Sequence, residues 1–150
     1  MRYLAVILGI FGLEWKIKNY IEETKTEDTE EEKCKGMLLI RKHHNKGAFL
    51  NAGQSRRKAV AALSVLLTVF LTIFFVLTLG QAGKGLLKWG LTLLLGGAYS
   101  NTYDRLARKY VVDYVSFNVP FRLKNVIFNI GDFCIMIGAL LSALAATEKL

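Results

Sequence analysis

Apolar and polar positions fall into long blocks along this chain. Ala59 to Gly80 offers 22 residues whose only polar side chains are Ser64, Thr68, Thr72 and Thr78. A run of that length predicts a helix able to cross a bilayer, for which about 20 apolar residues suffice. Gln81 to Lys84 forms a short turn. Gly85 to Ser100 then predicts a second such helix, with Lys88 able to snorkel to the near surface. Val126 to Ala146 is a run of 21 residues containing Asn129, Asp132 and Ser142. Its Gly138, Ser142 and Ala146 recur every fourth residue, a small-residue stripe suited to close helix packing. Near the N-terminus, Tyr3 to Leu13 has the length of a signal-peptide core. No small-residue cleavage site follows it; Glu14, Lys16 and Lys18 come next. Continued through Ile21, the segment spans with its polar residues turned toward protein. The pattern predicts an all-α integral membrane protein with four transmembrane helices at 3–21, 59–80, 85–100 and 126–146, and both termini on one side.

The stretches between these runs read differently. Thr24 to Lys33 is acidic and of low complexity, as a solvated loop would be. Met37 to Ile40 is apolar for the length of a strand and too short to span. It is expected to lie on the membrane surface. His43 and His44 are adjacent, so on a strand they face apart. With no further ligand at a suitable spacing, they read as exposed polar residues, and no metal site is predicted.

Composition narrows the class. Hydrophobic residues make up 53% of the 150, proline occurs once, and mean hydropathy is positive. That fits one membrane-embedded domain, 1–150. The net charge of +8 comes without an RNA-binding motif or a basic helix with interleaved aromatics. Anionic lipid headgroups account for it, and no nucleic-acid partner is expected. Cys34 and Cys134 do not read as a disulfide, because one lies in a charged loop and the other in a membrane helix. Lys and Arg crowd the first and third loops, which by charge alone would face the cytoplasm.

Asp132 is the most informative polar residue, because a carboxyl group in the middle of a span is costly and marks a functional site by default. Two Asn-x-x-Asp pairs occur, Asn101 with Asp104 and Asn129 with Asp132. On a helix, residues i and i+3 share a face, so each amide can bond its own acid or a shared target. Asp113, in VVDY, follows Asp104 in an extended surface segment. Two carboxyl groups forced together share one proton. Such a dyad can activate water with its charged member and protonate an oxygen or a leaving amine with its neutral one. The plain alternative for Asp104 is an interfacial ion pair with Arg105. A proton pathway is the other option for buried acids, but one mid-span acid makes a thin relay.

These residues carry a resemblance. GGAYSNTYDRLARKYVVDY (Gly96 to Tyr114) followed by FNIGD (Phe128 to Asp132) resembles signal peptidase II, the bacterial lipoprotein signal peptidase family. Its pattern is roughly GGAxGNxxDRxxxGxVVDF and then FNxAD. NKGAF (Asn45 to Phe49) is similar to the family's NxGAAF, and Glu14 with Lys18 to its DxxxK in the first helix. The resemblance implies an aspartic endopeptidase that cuts prolipoproteins before a cysteine already carrying diacylglycerol. Asp113 and Asp132 would be the catalytic dyad. Asn101, Asp104, Arg105 and Asn129 would be supporting positions, Asn45 and Gly47 part of a substrate-facing loop, and Glu14 a support from the first helix.

The implied architecture is four helices with a small extracytoplasmic sheet and surface helix, multi-pass in the bacterial cytoplasmic membrane, with the active site near the outer face. That orientation opposes the one read from loop charge. No cofactor or metal is implied. The partners would be lipid-modified precursor proteins and membrane lipids, and the protein a monomer. Departures from the pattern are Glu14 for aspartate, Ser100 for glycine, Lys109 for glycine, Gly131 for alanine, and one residue fewer in NKGAF. They motivate an alternative, a non-catalytic member that binds lipidated or transmembrane partners.

Overall fold

Among the described residues, four α-helices and a three-stranded antiparallel sheet follow one another as α1 (Arg2–Thr24), β1 (Glu31–Lys33), β2 (Leu38–Asn45), α2 (Arg57–Leu79), α3 (Gly85–Ala107), β3 (Val111–Phe117) and α4 (Ile130–Thr147). Short 3-10 turns at Gln54–Arg56 and Arg122–Asn125 precede α2 and α4. The computed structural model describes residues 1–27, 29–48, 52–119 and 122–147, with the side chains of 122 and 123 left aside. Phe49, the last residue of NKGAF, lies outside them.

Helix α3 is the hub, packing against α4, α1 and α2. Its contact with α4 is close because glycines face glycines. A Cβ at Gly97 would stand 2.2 Å from the Gly131 carbonyl oxygen, and one at Gly138 would stand 2.5 Å from that of Gly90. The stripe seen in the sequence is used as far as Ser142, which touches Gly90, while Ala146 is exposed. Two of the polar side chains on α2 are spent on α3: Thr68 bonds Thr102 at 2.9 Å and Thr72 bonds the Tyr99 hydroxyl at 2.7 Å. On α1 the buried residues are Ile7, Glu14, Lys18 and Ile21, one stripe at helical spacing. Two of the four are charged, so this helix buries a polar face against α3.

Among the described residues, two helices are long and apolar enough to cross a membrane, Gln54–Leu79 with its 3-10 lead-in and Ile130–Thr147. Three predicted boundaries shift. Helix α1 runs past Ile21 to Thr24. Helix α3 runs past Ser100 to Ala107, so NTYDR forms its last turns. The largest correction concerns the fourth run, where the helix starts at Ile130 instead of Val126. Phe128 instead pairs with β3: its N–H donates to the Val115 carbonyl at 2.7 Å, and its carbonyl accepts from Tyr114 and Val115. Asp132 therefore stands in the first turn of a helix, not in mid-span.

The sheet order is β1-β2-β3. Between β2 and β3 the pairing runs Ile40 to Val115 and then His43 to Asp113, so Arg41 and Lys42 together oppose Tyr114 alone. This β-bulge changes which β2 side chains share a face with Asp113. His43 and Asn45 line the cavity described below, while Lys42 and His44 turn to Glu22 on α1. The histidines are thus not exposed polar residues. Both are half-buried; the His44 imidazole lies between Glu22 and Glu27 and stacks on Tyr110. The acidic loop is partly folded as well: Glu30, just before β1, pairs with Arg41 of β2 at 2.8 Å.

Candidate active site

Helix α4 opens with a reciprocal cap. The Asp132 N–H donates to the Asn129 Oδ1 at 2.8 Å, and the Asn129 N–H donates to the Asp132 Oδ2 at 3.1 Å. Residue and third neighbour thus satisfy each other's backbone donors, as a capping box does, and the carboxylate sits where the helix dipole favours negative charge. The Asn129 side-chain N–H then reaches across to β3 and donates to the Asp113 Oδ1 at 2.7 Å. One asparagine therefore holds both acids.

Every carboxylate oxygen of the pair has a donor. Asp113 Oδ2 accepts from the Asn45 amide at 3.1 Å, and Asp132 Oδ1 from the Asn101 amide at 2.9 Å. All these donors are backbone or side-chain amides; among the described residues neither acid forms an ion pair. Asp113 is 2% exposed. Burial, and then the neighbouring Asp132 charge, push its pKa up from 3.8 to about 7 against the opposing pull of the Asn45 and Asn129 amides. It sits on a buried strand, a correction to the surface segment expected from sequence. Burial lowers the pKa of His43, its strand neighbour.

Behind the acids lies a second polar cluster. The Lys18 ammonium, 0% exposed, pairs with Glu14 at 2.9 Å and Asp104 at 3.0 Å. It donates to the Ser100 hydroxyl at 2.9 Å and to the Asn101 Oδ1 at 3.0 Å. That last bond orients Asn101, so its amide N–H faces Asp132. Asp104 also pairs with Arg108 at 3.0 Å and accepts from the Val112 N–H at 3.3 Å. Among the described residues, Arg105, the alternative partner for Asp104, forms no ion pair with it, and Asn101 and Asp104 do not bond each other. Arg105 instead donates to the carbonyls of Asn101 at 3.3 Å and Gly47 at 3.2 Å. Gly47 in turn donates its N–H to the Asn45 Oδ1 at 3.1 Å, which fixes the amide that faces Asp113.

The acids line a cavity of about 460 Å³ between α2, α3, α4 and the sheet. His43, Asn45, Asn101 and Arg105 share its polar end with them, and Leu67, Leu71, Leu94, Ile135 and Met136 make its wall apolar. Among the described residues no cluster of three His, Cys, Asp or Glu side chains could hold a metal ion. Cys34 and Cys134 are free thiols.

All nine residues singled out from sequence lie in or directly behind this end of the molecule: Asp113, Asp132, Asn101, Arg105 and Asn45 on the cavity, Asn129 and Gly47 bonding them, Asp104 and Glu14 on Lys18. Sequence reasoning missed Lys18 as the centre of the second cluster, although its spacing of four from Glu14 announces a helical ion pair. It missed His43 because nothing in the sequence announces the bulge. It missed the Tyr114 hydroxyl, which bonds Glu14 and the Ile130 N–H.

A family model described as Signal peptidase (SPase) II matches residues 6–147. The lipoprotein signal peptidase of Caldicellulosiruptor bescii is 28% identical over 142 residues, covering 94% of this chain and 87% of the relative. That of Halothermothrix orenii is 29% identical over 142 residues, covering 94% and 91%. A solved structure described as a bacterial membrane enzyme, determined in meso at 2.3 Å, shares the fold. Its TM-score is 0.84 with 22% identity, over 98% of this chain and 88% of that one. A second, described in the same words at 1.9 Å, gives 0.79 over 99% and 94%, again at 22% identity.

Proposed function

The chain belongs to the signal peptidase II family, and on that premise we propose that it is an aspartic endopeptidase of the bacterial cytoplasmic membrane. It removes signal peptides from diacylglyceryl-modified prolipoproteins. The family consists of proteases that process lipoproteins. The aspartic mechanism here rests on one observation, two carboxyl groups on one cavity wall, bridged by Asn129 and uncompensated by any ion pair among the described residues.

The pair holds one proton, and it resides on Asp113, whose pKa of about 7 keeps it neutral at lower pH. Asp132, at a helix N-terminus with two amide donors, is the charged member. Asp132 takes a proton from a water molecule as its oxygen attacks the scissile carbonyl carbon. Asp113 gives its proton to the carbonyl oxygen; as the C–N bond of the resulting diol breaks, Asp132 passes the proton taken from water to the leaving amine and Asp113 takes one back from a diol hydroxyl. Arg105 and Asn45 hold the Gly47 segment against the substrate. The apolar cavity wall receives the acyl chains, which bring the scissile bond to the depth of the acids and replace a three-dimensional search with orientation in a plane.

All four helices span in this reading. At about 1.5 Å per residue, α1, α2 and α3 exceed a hydrocarbon core of about 30 Å, and the 18-residue α4 falls just short of it. The polar faces of α1 and α3 turn toward each other, away from lipid. The sheet covers the outer face, the protein is a single membrane-embedded domain acting as a monomer, and anionic lipids meet its basic loops.

The deciding experiment incubates the purified protein with a diacylglyceryl-modified precursor. Wild type is expected to cleave it, and Asp113→Asn and Asp132→Asn to insert and fold without cleaving. Wild-type turnover by either variant would overturn the dyad; an inert wild type would overturn the peptidase reading.

A further inference from the structure

Tyr114 follows Asp113 on β3, and its phenol is buried at 3% exposure. The hydroxyl donates to the Glu14 Oε1 on α1 and accepts the Ile130 N–H at 3.2 Å. Ile130 opens α4, two residues before Asp132. One oxygen thus ties the strand carrying the first acid to the helix carrying the second, and both to α1. The other Glu14 oxygen pairs with Lys18 at 2.9 Å and accepts from the Ser100 hydroxyl at 3.4 Å.

Glu14 also decides what residue 131 can be. A Cβ at Gly131 would stand 3.2 Å from the Glu14 Oε2 and 2.9 Å from the Asn129 Oδ1 that caps α4. The longer acid at 14, the serine at 100 and the missing methyl at 131 are departures from the family pattern given above. Tyr114 stands where that pattern has phenylalanine. All four meet at one carboxylate, so they form one coupled arrangement and not four independent losses.

We infer that Tyr114, acting through Glu14 and Ile130, is a positioning residue that sets the separation of Asp113 and Asp132, and that Gly131 is the space this arrangement requires. The inference rests on the peptidase reading and adds to it which residues align the reacting pair. Removing the phenol oxygen leaves the Ile130 N–H without this acceptor and loosens α4 against β3, with the Phe128 pairing and the Asn129–Asp113 bond as the remaining ties. Misplacement of reacting groups by about 1 Å costs on the order of 100-fold in rate.

The test measures kcat and KM on a diacylglyceryl-modified precursor for wild type, Tyr114→Phe, Glu14→Asp, the two combined, Gly131→Ala, and Gly131→Ala combined with Glu14→Asp. Tyr114→Phe is expected to lower kcat by roughly 10- to 100-fold with KM within about twofold. Combining it with Glu14→Asp is expected to cost little beyond the worse single change, because both sever the same bond. Gly131→Ala is expected to lower kcat, and Glu14→Asp to restore part of it by withdrawing the carboxylate one methylene. Should Tyr114→Phe fail to fold, the rescue of Gly131→Ala carries the test alone. A cleaving wild type matched by Tyr114→Phe, or losses that multiply in both combinations, would overturn the inference and leave the peptidase reading intact. An inert wild type would overturn both.

Discussion

Two buried carboxylate clusters sit back to back at one end of this molecule, and they are solved in opposite ways. Around Lys18, Glu14 and Asp104 share a buried cation and are further bonded by Ser100, Tyr114, Arg108 and a backbone N–H. Charge is balanced and the cluster is closed to the cavity. A few ångströms on, Asp113 and Asp132 receive only amides. Amides orient a carboxylate without neutralising it, so the repulsion between the acids persists and is relieved by keeping a proton. Asn101 joins the two, accepting from Lys18 on one side and donating to Asp132 on the other. The same residue types thus make a rigid footing where a lysine is supplied and a proton-holding pair where it is withheld.

The largest effect should come from breaking the pair. Asp113→Asn or Asp132→Asn is expected to lower precursor cleavage by about 1000-fold or more. The same Asp113→Asn change should leave thermal stability in detergent unchanged or raised, because it removes a buried, repelled acid. Breaking the footing should do the reverse. Lys18→Met leaves two buried carboxylates without their shared cation and is expected to cost about 3–5 kcal/mol of stability, read by denaturant unfolding of the solubilised protein.

A smaller effect separates the clusters by pH. Folding raises the Asp113 pKa from 3.8 to about 7, so between those values the folded protein holds a proton that the unfolded chain has released. Its contribution is therefore a stability that falls as pH climbs from about 4 to about 7, and cleavage should fall above about pH 7 as the shared proton is lost. Asp132→Asn removes the neighbouring charge and should pull the upper end of the unfolding window to lower pH. An unchanged window would mean that burial alone holds the proton.

The smallest effect lies outside both clusters. Lys109, two residues past the end of α3, has φ at +70°, the left-handed region, where a side chain is strained. Its ammonium bonds the Leu106 carbonyl at 2.6 Å in partial compensation. Lys109→Gly should raise stability by about 1 kcal/mol without altering kcat.

Much of this was legible in the chain. The blocks NTYDR, VVDY and FNIGD contain both acids, both bridging amides and Arg105, and the apolar runs locate α2 and most of α3. The start of α4 was not legible from hydropathy, because Val126 to Phe128 is equally apolar as strand or helix, and so short a run does not choose. The Asn129-x-x-Asp132 spacing was the better signal, since an amide and an acid three apart before an apolar run can cap a helix as well as share its face. For Asp104 the sequence left a site role and an ion pair with Arg105 both open; its ion-pair partners, Lys18 and Arg108, lie one helix away and one turn on. His43 was read as exposed because a bulge is a property of two paired strands, and one strand's sequence does not state it.

That bulge governs where the sheet's positive charge goes. With Arg41 and Lys42 opposing a single residue, Arg41 pairs with Glu30, and Lys42 and His44 with Glu22. On the sheet's side, the edge of the site is left to the His43 imidazole and the Asn45 amide. Slide the two strands by one step and the pleat would deliver a lysine beside Asp113, enough to strip its proton and quench the pair without touching either acid. A single surplus residue in a surface ribbon thus acts as an insulator between a basic exterior and an acid that must stay protonated.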